Sequence, residues 1–263
     1  MESPSSVTNT VPVRGDDPPD PPAPTDTGDG GIPVPPPPPE AAVVFGLELE
    51  RAREYAGLLA TDGVTRGLIG PRETARLWDR HLINCAVVAE LLPEHGELVD
   101  IGSGAGLPGL VLAMLRPSLR VILVESMLRR CVFLEECAGR LGLENVRVVR
   151  GRAEDLAGTI RADVATARAV APLDRLAGWA AGLLRPGGEL LAIKGQSAAE
   201  ELEAARPALR RLRTRSAGVQ RAGRGRVISA TTVVRVVMGG HVVIRGQGRE
   251  EQADARRGRP GVA

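Results

Sequence analysis

The fold of this chain is decided by residues 98–109, which read Leu-Val-Asp-Ile-Gly-Ser-Gly-Ala-Gly-Leu-Pro-Gly. Residues 98–101 predict a short buried strand, and four glycines follow within the next eight residues. The apolar run 110–115 then predicts a helix. A strand, a glycine-rich turn and a helix N-terminus together form the geometry that holds a nucleotide-like cofactor.

Strands and helices alternate along the chain from this stretch onward. Short apolar strands are predicted at 98–101, 120–125, 146–149, 163–167, 189–193 and 231–237. Helices are predicted after residue 107 and at 127–141, 173–184 and 197–212. This alternation predicts a parallel sheet with helices on both faces. With right-handed crossovers, the predicted fold is α/β, doubly wound and Rossmann-like.

Composition divides the chain into four parts. Residues 1–40 hold 13 of the 21 prolines and no aromatic residue, so we predict a disordered, proline-rich tail. Residues 41–95 carry one-sided apolar stripes that predict an N-terminal helical cap. Residues 96–238 are predicted to form the α/β domain, and the polar, arginine-rich residues 239–263 a loosely ordered basic tail.

The charge is unevenly distributed. The chain has a net charge of +2, and its acidic first 40 residues leave the remainder at +8. Residues 206–226 contain eight arginines and no acidic residue. This stretch is compatible with contact to nucleic acid, and equally with the solvent-exposed face of a helix and loop.

Cysteine usage and hydropathy restrict the class of protein. The three cysteines are odd in number and lack metal-ligand spacing, so neither a disulfide framework nor a metal site is expected. We see no signal peptide and no apolar run of about 18 residues or more. The sequence therefore predicts a cytoplasmic protein with no membrane segment and no metal.

Two acidic residues bear on the identity of the cofactor. The spacing Gly104-x-Gly106-x-x-Gly109 matches the dinucleotide fingerprint, which is a weak signal by itself. Asp100 would repel a pyrophosphate, but it suits the cationic groups of S-adenosylmethionine. Glu125, at the end of the second strand, can accept both ribose hydroxyls of either cofactor. Alternatively, Asp100 caps the glycine loop and Glu125 caps the next helix.

Residues 100–109 resemble the first motif of the ribosomal small-subunit methyltransferase G family, also known as glucose-inhibited division protein B. Further blocks agree in order and spacing, at 78–82, 152–155, 166–173 and 191–195. The resemblance covers roughly residues 43–238. It implies a class I S-adenosylmethionine-dependent methyltransferase fold, and methyl transfer to N7 of one guanosine in a loop of 16S rRNA of the small ribosomal subunit.

The resemblance also implies which residues contact the cofactor. Carried over by position, these are Gly102, Leu107, Ala153, Glu154 and Arg168, with Glu125 as the ribose acid. To this set the glycine stretch itself adds Asp100 and Gly104 as expected cofactor contacts.

Guanine N7 has an in-plane lone pair, so its methylation needs alignment and no obligatory general base. Arg168 and Lys194 lie at carboxyl ends of predicted strands, where they are expected to position the acceptor nucleotide or its phosphates. Lys194 is the one lysine among 34 basic residues. The alternative interpretation is that Lys194 is an ordinary surface lysine. His81 is expected to be a packed helix residue, with a contact to the site as the alternative.

Two other functions remain open from the residues alone. A small-molecule methyltransferase on the same fold would turn over without RNA and would need a more aromatic acceptor pocket. A non-catalytic adenosine- or NAD-binding module would show no methyl transfer. A monomer is expected for the rRNA enzyme.

Overall fold

The computed structural model describes residues 34–240, which are built around one seven-stranded sheet. The strands are β1 (Gly96–Ile101), β2 (Leu119–Glu125), β3 (Val146–Arg150), β4 (Ala162–Arg168), β5 (Leu184–Lys194), β6 (Ser216–Ala222) and β7 (Thr231–Val237). Their order across the sheet is β3-β2-β1-β4-β5-β7-β6. The α/β Rossmann-like prediction is therefore confirmed.

The direction of the last strands differs from the prediction of a parallel sheet. Strands β1 to β5 pair in parallel, whereas β7 runs antiparallel to both β5 and β6. Strand β6 is absent from the predicted strands, because residues 216–222 contain Gly218 and Arg221 and lack a clear apolar alternation. As an edge strand with one neighbour, β6 buries little of its surface. Its pairing with β7 therefore does not require the usual strand pattern.

Helices cover both faces of the sheet. The longer ones are α1 (Pro39–Phe45), α2 (Leu49–Leu58), α3 (Gly109–Leu115), α4 (Leu128–Arg140), α5 (Leu173–Leu183) and α6 (Ala198–Arg211). Short or irregular helical segments lie at Gly46–Glu48, Leu59–Gly63, Pro71–Arg76, Leu77–Ile83, Asn84–Ala86 and Val87–Leu91. The segments before β1 form the helical layer that the apolar stripes predict.

Two apolar cores lie on opposite faces of the sheet, as the period of two along each strand requires. On one face, Leu98 of β1 packs with the helices that precede β1 and with α3 and α4. On the other face, Val99 packs with α5 and α6. The sheet is therefore buried on both faces, which leaves the ends of its strands open to ligands.

The proline run ends in ordered structure. Pro39 begins α1, and the indole Nε1–H of Trp78 donates a hydrogen bond to the carbonyl of Pro35 at 2.8 Å. The tail predicted through residue 40 therefore differs from the structure over its last seven residues. Proline lacks an N–H but keeps its carbonyl as an acceptor, so the run can dock on a donor such as Trp78. Residues 1–33 and 241–263 lie outside the described residues.

Candidate cofactor and acceptor site

Three adjoining cavities lie at the edge of the sheet where the parallel strands end. They surround the glycine loop 102–109, the end of β2 and the turn after β4. The carboxyl ends of parallel strands are the usual ligand-binding edge of an open α/β sheet. The strand topology therefore brings the glycine stretch and these cavities to the same edge of the sheet.

The first cavity has a volume of about 250 Å³ and mainly apolar walls. It is lined by Gly102, Glu125, Ala153 and Glu154 together with Ile101, Val124 and Trp179. Mainly apolar walls with the carboxylates of Glu125 and Glu154 fit an adenine ring joined to a ribose. Sequence reasoning missed Trp179, although a tryptophan in a chain with five aromatic residues was a usable signal.

The second cavity, of about 370 Å³, is more polar and shares Gly102 and Glu125 with the first. Five of the predicted residues line this cavity, because Gly104, Leu107 and Arg168 join Gly102 and Glu125 there. Backbone N–H groups of a glycine loop and nearby guanidinium groups suit a carboxylate. Together the two cavities fit the parts of S-adenosylmethionine, with the adenosine in the first and the amino-acid portion in the second.

Glu125 joins the end of β2 to the glycine loop. Its Oε2 accepts a hydrogen bond from the Gly104 N–H at 3.0 Å, and its Oε1 accepts one from the Met127 N–H at 2.9 Å. Arg130 lies 3.6 Å from the same carboxylate. The capping alternative for Glu125 is thus present in the structure. The carboxylate also lines both cavities, where a ribose contact remains a prediction.

Asp100 is buried beneath the glycine loop and is not among the residues that line the three cavities. Its Oδ2 accepts a hydrogen bond from the Gly109 N–H at 3.1 Å, whereas its Oδ1 is buried without a hydrogen-bond partner. Burial raises the pKa of this carboxyl to about 7. The geometry corresponds to the loop-capping alternative, and a direct contact between Asp100 and the cofactor remains a prediction.

Tyr55 ties the helical layer to the glycine loop. This fully buried residue of α2 donates a hydrogen bond from its hydroxyl to the carbonyl of Ala105 at 2.5 Å. Burial raises the pKa of the hydroxyl well above its usual value, so it stays a donor. In the sequence, Tyr55 is one residue of the apolar stripes of residues 41–95. The polar end of a buried tyrosine was the signal that it had a partner.

The third cavity, of about 680 Å³, adjoins the second through Arg168, Ala169 and Val170. Lys194 also lines it, so the two residues expected to position the acceptor meet there. The Lys194 side chain is only 11% exposed, and its Nζ lies 2.5 Å from Oε2 of Glu201. Nζ also donates to the carbonyl of Ala171 at 2.9 Å. Lys194 is therefore a largely buried residue of the cavity wall, fixed by two polar contacts. The alternative interpretation, an ordinary surface lysine, does not match this geometry.

A chain of side chains holds Arg168 in place. Nη2 of Arg168 lies 2.8 Å from Nδ1 of His81, and Nε2 of His81 lies 2.8 Å from Oε2 of Glu73. Because the guanidinium can only donate, His81 accepts through Nδ1 and donates through Nε2. Burial, and then the charge of Arg168, lower the pKa of His81. His81 is thus both packed and part of the third cavity, so the two interpretations of this residue are compatible. Its partner Glu73 was not predicted from the sequence.

The part of the chain between residues 34 and 240 holds no helix long and apolar enough to cross a membrane. Within the same residues, no group of three or more histidine, cysteine and acidic side chains could hold a metal ion.

The fold and the site define a class. The sheet has a reversed seventh strand, a glycine loop after β1, an acid at the end of β2 and adjoining cavities at the carboxyl ends of its parallel strands. These features are those of an S-adenosylmethionine-dependent methyltransferase of the Rossmann-like type.

Comparison with known proteins specifies the family. The model of the family described as rRNA small subunit methyltransferase G matches residues 48–227. The chain therefore belongs to the rRNA small subunit methyltransferase G family, and the resemblance found in the sequence motifs is confirmed.

The chain is similar to curated relatives along most of its length. It is 60% identical to ribosomal RNA small subunit methyltransferase G of Thermobifida fusca over 198 residues, covering 75% of this chain and 84% of the relative. The same protein of Streptomyces coelicolor is 54% identical over 201 residues, covering 76% and 84%. Among solved structures, NSun6 from Pyrococcus horikoshii is 20% identical, with a TM-score of 0.49 and coverage of 62% of this chain and 53% of that chain.

Proposed function

We propose that this enzyme transfers a methyl group from S-adenosylmethionine to N7 of a guanosine in a loop of 16S rRNA. The observation that carries the proposal is the third cavity, where Arg168 and Lys194 meet next to the cofactor cavities. Family membership supports rRNA of the small subunit as the substrate. Family membership also argues against the two alternative functions, a small-molecule methyltransferase and a non-catalytic binding module.

The third cavity suits an RNA nucleotide. Its lining includes the cationic groups of Arg80, Arg168 and Lys194, which can bind phosphate oxygens or the guanine O6. No tyrosine, tryptophan or phenylalanine is among the residues that line it. Such a cavity offers charge and hydrogen bonds to a polyanionic substrate, and no aromatic side chain on which a small aromatic acceptor could stack.

The residues have a modest chemical task. S-adenosylmethionine supplies, when bound, a methyl group on a positively charged sulfonium. Guanine N7 attacks through its lone pair without losing a proton, so neither His81 nor Glu73 is needed as a general base. Arg168, held by His81, fixes the orientation of the acceptor next to the second cavity. Lys194 supplies a point charge for the RNA. Catalysis then depends on alignment.

The remaining expectations form part of the same proposal. Glu125 holds the ribose of the cofactor, and the other residues that contact the cofactor are Gly102, Gly104, Leu107, Ala153, Glu154 and Arg168. The enzyme acts as a monomer in the cytoplasm without a metal, on the small ribosomal subunit or its RNA. The helical cap of residues 41–95 and the methyltransferase domain of residues 96–238 carry out this function together.

One labelling experiment tests the proposal. The protein is incubated with methyl-labelled S-adenosylmethionine and with 30S subunits from cells that lack this enzyme. The labelled nucleotide is then mapped in 16S rRNA. We expect a single labelled guanosine whose label is at N7. Absence of label in the RNA, or label on another base atom, would exclude the proposed reaction.

A further inference from the structure

The structure divides the arginine-rich stretch 206–226 between two ends of the sheet. Arg210 and Arg211 lie in the last turn of α6, just before the end of β6 that pairs with Val237. Arg221 lies at the other end of β6, where it pairs with Thr232. Because Thr232 also pairs with Lys194, which lines the third cavity, Arg221 lies at the end of the sheet nearer this cavity, and Arg210 and Arg211 lie near the opposite end.

Arg221 lies in one row of the sheet with the acceptor lysine. Thr232 is paired to Lys194 on one side and to Arg221 on the other, and Nη1 of Arg221 donates to Oγ1 of Thr232 at 2.9 Å. Directly paired residues project from the same face of an antiparallel sheet. With neighbouring strands ~4.8 Å apart, the backbones of Arg221 and Lys194 are about 10 Å apart.

The loop of residues 223–230, which joins β6 to β7, is anchored on the helical layer. The N–H of Gly223 donates to Oε1 of Glu90 at 2.8 Å, and Arg226 lies 3.7 Å from Oε2 of the same glutamate. Gly223 has a φ of +80°, and a Cβ there would lie 2.7 Å from Cγ1 of Val87. Contacts of Gly223 and Arg226 with the helical layer thus fix the base of the loop.

The outward side of this loop is basic and open. Arg221 and Arg224 are exposed, and Arg224 has no hydrogen-bond or ion-pair partner between residues 34 and 240. They line a groove with Ile228, whose side chain is 91% exposed, and no acidic residue lines it. Guanidinium groups bind phosphate oxygens in a bidentate manner, and the apolar Ile228 can contact ribose or base faces.

We propose that this groove, formed by Arg221 and the loop 223–230, is a docking surface for the phosphate backbone of the RNA that flanks the target nucleotide. The proposal rests on the proposed function, because it assigns the flanking strand of that same substrate. The groove continues the row of cations from Lys194 outward. An RNA strand whose base enters the acceptor cavity passes over it within one or two nucleotides.

The test compares two pairs of arginines. The variant Arg221→Ala/Arg224→Ala removes the groove cations, and the control Arg210→Ala/Arg211→Ala removes the same charge from the far end of α6. The dissociation constant for 30S subunits and for naked 16S rRNA is measured by co-sedimentation at several salt concentrations. We expect about tenfold weaker binding for the groove variant and a salt slope reduced by about 1.5. The control should stay within about twofold of wild type.

S-adenosylhomocysteine binding, which should not change, verifies that each variant is folded. Equal losses in the two pairs, or wild-type binding by the groove variant, would overturn the docking surface. The proposal would also be overturned if the groove variant lost affinity for 30S subunits but not for naked 16S rRNA. That outcome would indicate a ribosomal protein as the partner. Binding is read without methyl transfer. A wild-type protein that binds RNA but does not methylate it therefore refutes the proposed reaction alone.

Discussion

Oε2 of Glu125 accepts a hydrogen bond from the Gly104 N–H at 3.0 Å, so the ribose acid proposed at the end of β2 also fixes the glycine loop. A carboxylate has about four acceptor positions. It can therefore hold the loop, the Met127 N–H and a ribose hydroxyl together. The structural and the ligand-binding role of Glu125 are thus compatible, and they can be separated by experiment.

Replacing Glu125 with glutamine tests both roles. The amide keeps one acceptor oxygen but presents an NH₂ group to one of the two backbone donors, so we expect a loss of about 1–2 kcal/mol of stability. Calorimetry then compares S-adenosylhomocysteine with its 2′,3′-dideoxyribose analogue. Wild type should prefer the natural ligand strongly, and Glu125→Gln only weakly. Equal discrimination by both proteins would contradict the ribose contact.

Replacing Lys194 with alanine should lower kcat/KM for 30S subunits by about tenfold or more, because a charge-assisted hydrogen bond is worth about 1.5–3 kcal/mol. The change also leaves the Glu201 carboxylate without its cation beside the RNA. The double variant Lys194→Ala/Glu201→Ala should therefore recover part of the activity. Cofactor affinity, measured by calorimetry, should stay close to wild type. A large loss of cofactor affinity would assign Lys194 to the cofactor site instead.

The contact between His81 and Arg168 predicts a pH dependence. Nδ1 of His81 must be unprotonated to accept from Arg168, and the pKa of His81 lies below its ordinary value of 6.5. Methylation should therefore decline as the pH falls through this lowered pKa, below 6.5, where the imidazole becomes protonated. His81→Gln offers an oxygen acceptor that does not titrate. This variant should lose the acidic limb of the rate profile and be several-fold slower at neutral pH.

The exposed His95, in the segment before β1, provides the matched control. His95→Gln makes the same chemical change outside the site and should retain the wild-type pH profile. An unchanged acidic limb in His81→Gln would show that another group controls the decline.

Asp100 predicts that stability falls as the pH rises. Its folded pKa of about 7 exceeds the ordinary value of 3.8 for this carboxyl, so the folded protein holds a proton that the unfolded chain has released. Between about pH 4 and pH 7 the free energy of unfolding attributable to Asp100 therefore decreases, by at most about 1.4 kcal/mol per pH unit. Above pH 7 this contribution is flat.

The variant Asp100→Asn removes this titration and keeps an oxygen for the Gly109 N–H. Denaturant unfolding at pH values from about 5 to about 8 should show the variant gaining stability relative to wild type as the pH rises to 7. Parallel stability curves for the two proteins would refute the buried, protonated carboxyl.

The sequence predicts well where residues that follow strands lie. It predicts contacts between distant segments poorly. The glycine loop, Glu125, Arg168 and Lys194 each end or follow a strand, so the parallel topology alone brings them to one edge. Glu73, His81 and Glu201 come from helices whose packing angle no local pattern fixes. Their contacts with Arg168 and Lys194 were therefore beyond sequence reasoning.

The role of Asp100 shows a second limit of sequence reasoning. Its position two residues before Gly102 is the same whether the carboxylate points to the cofactor or beneath the loop. Only the side-chain direction, set by packing around Gly109, distinguishes the two. Strand β6 shows a third limit, because an exposed edge strand with arginines carries almost no hydrophobic pattern.

Through the hydrogen bond from Tyr55 to Ala105, the helical layer contributes to the affinity for a ligand of the glycine loop. A ligand that orders residues 102–109 must, by thermodynamic linkage, also stabilise the helix that contains Tyr55. Substitutions in α2 can thus raise the dissociation constant of a molecule that they never touch. Slower amide exchange in α2 on addition of S-adenosylhomocysteine would be the signature of this reciprocal coupling.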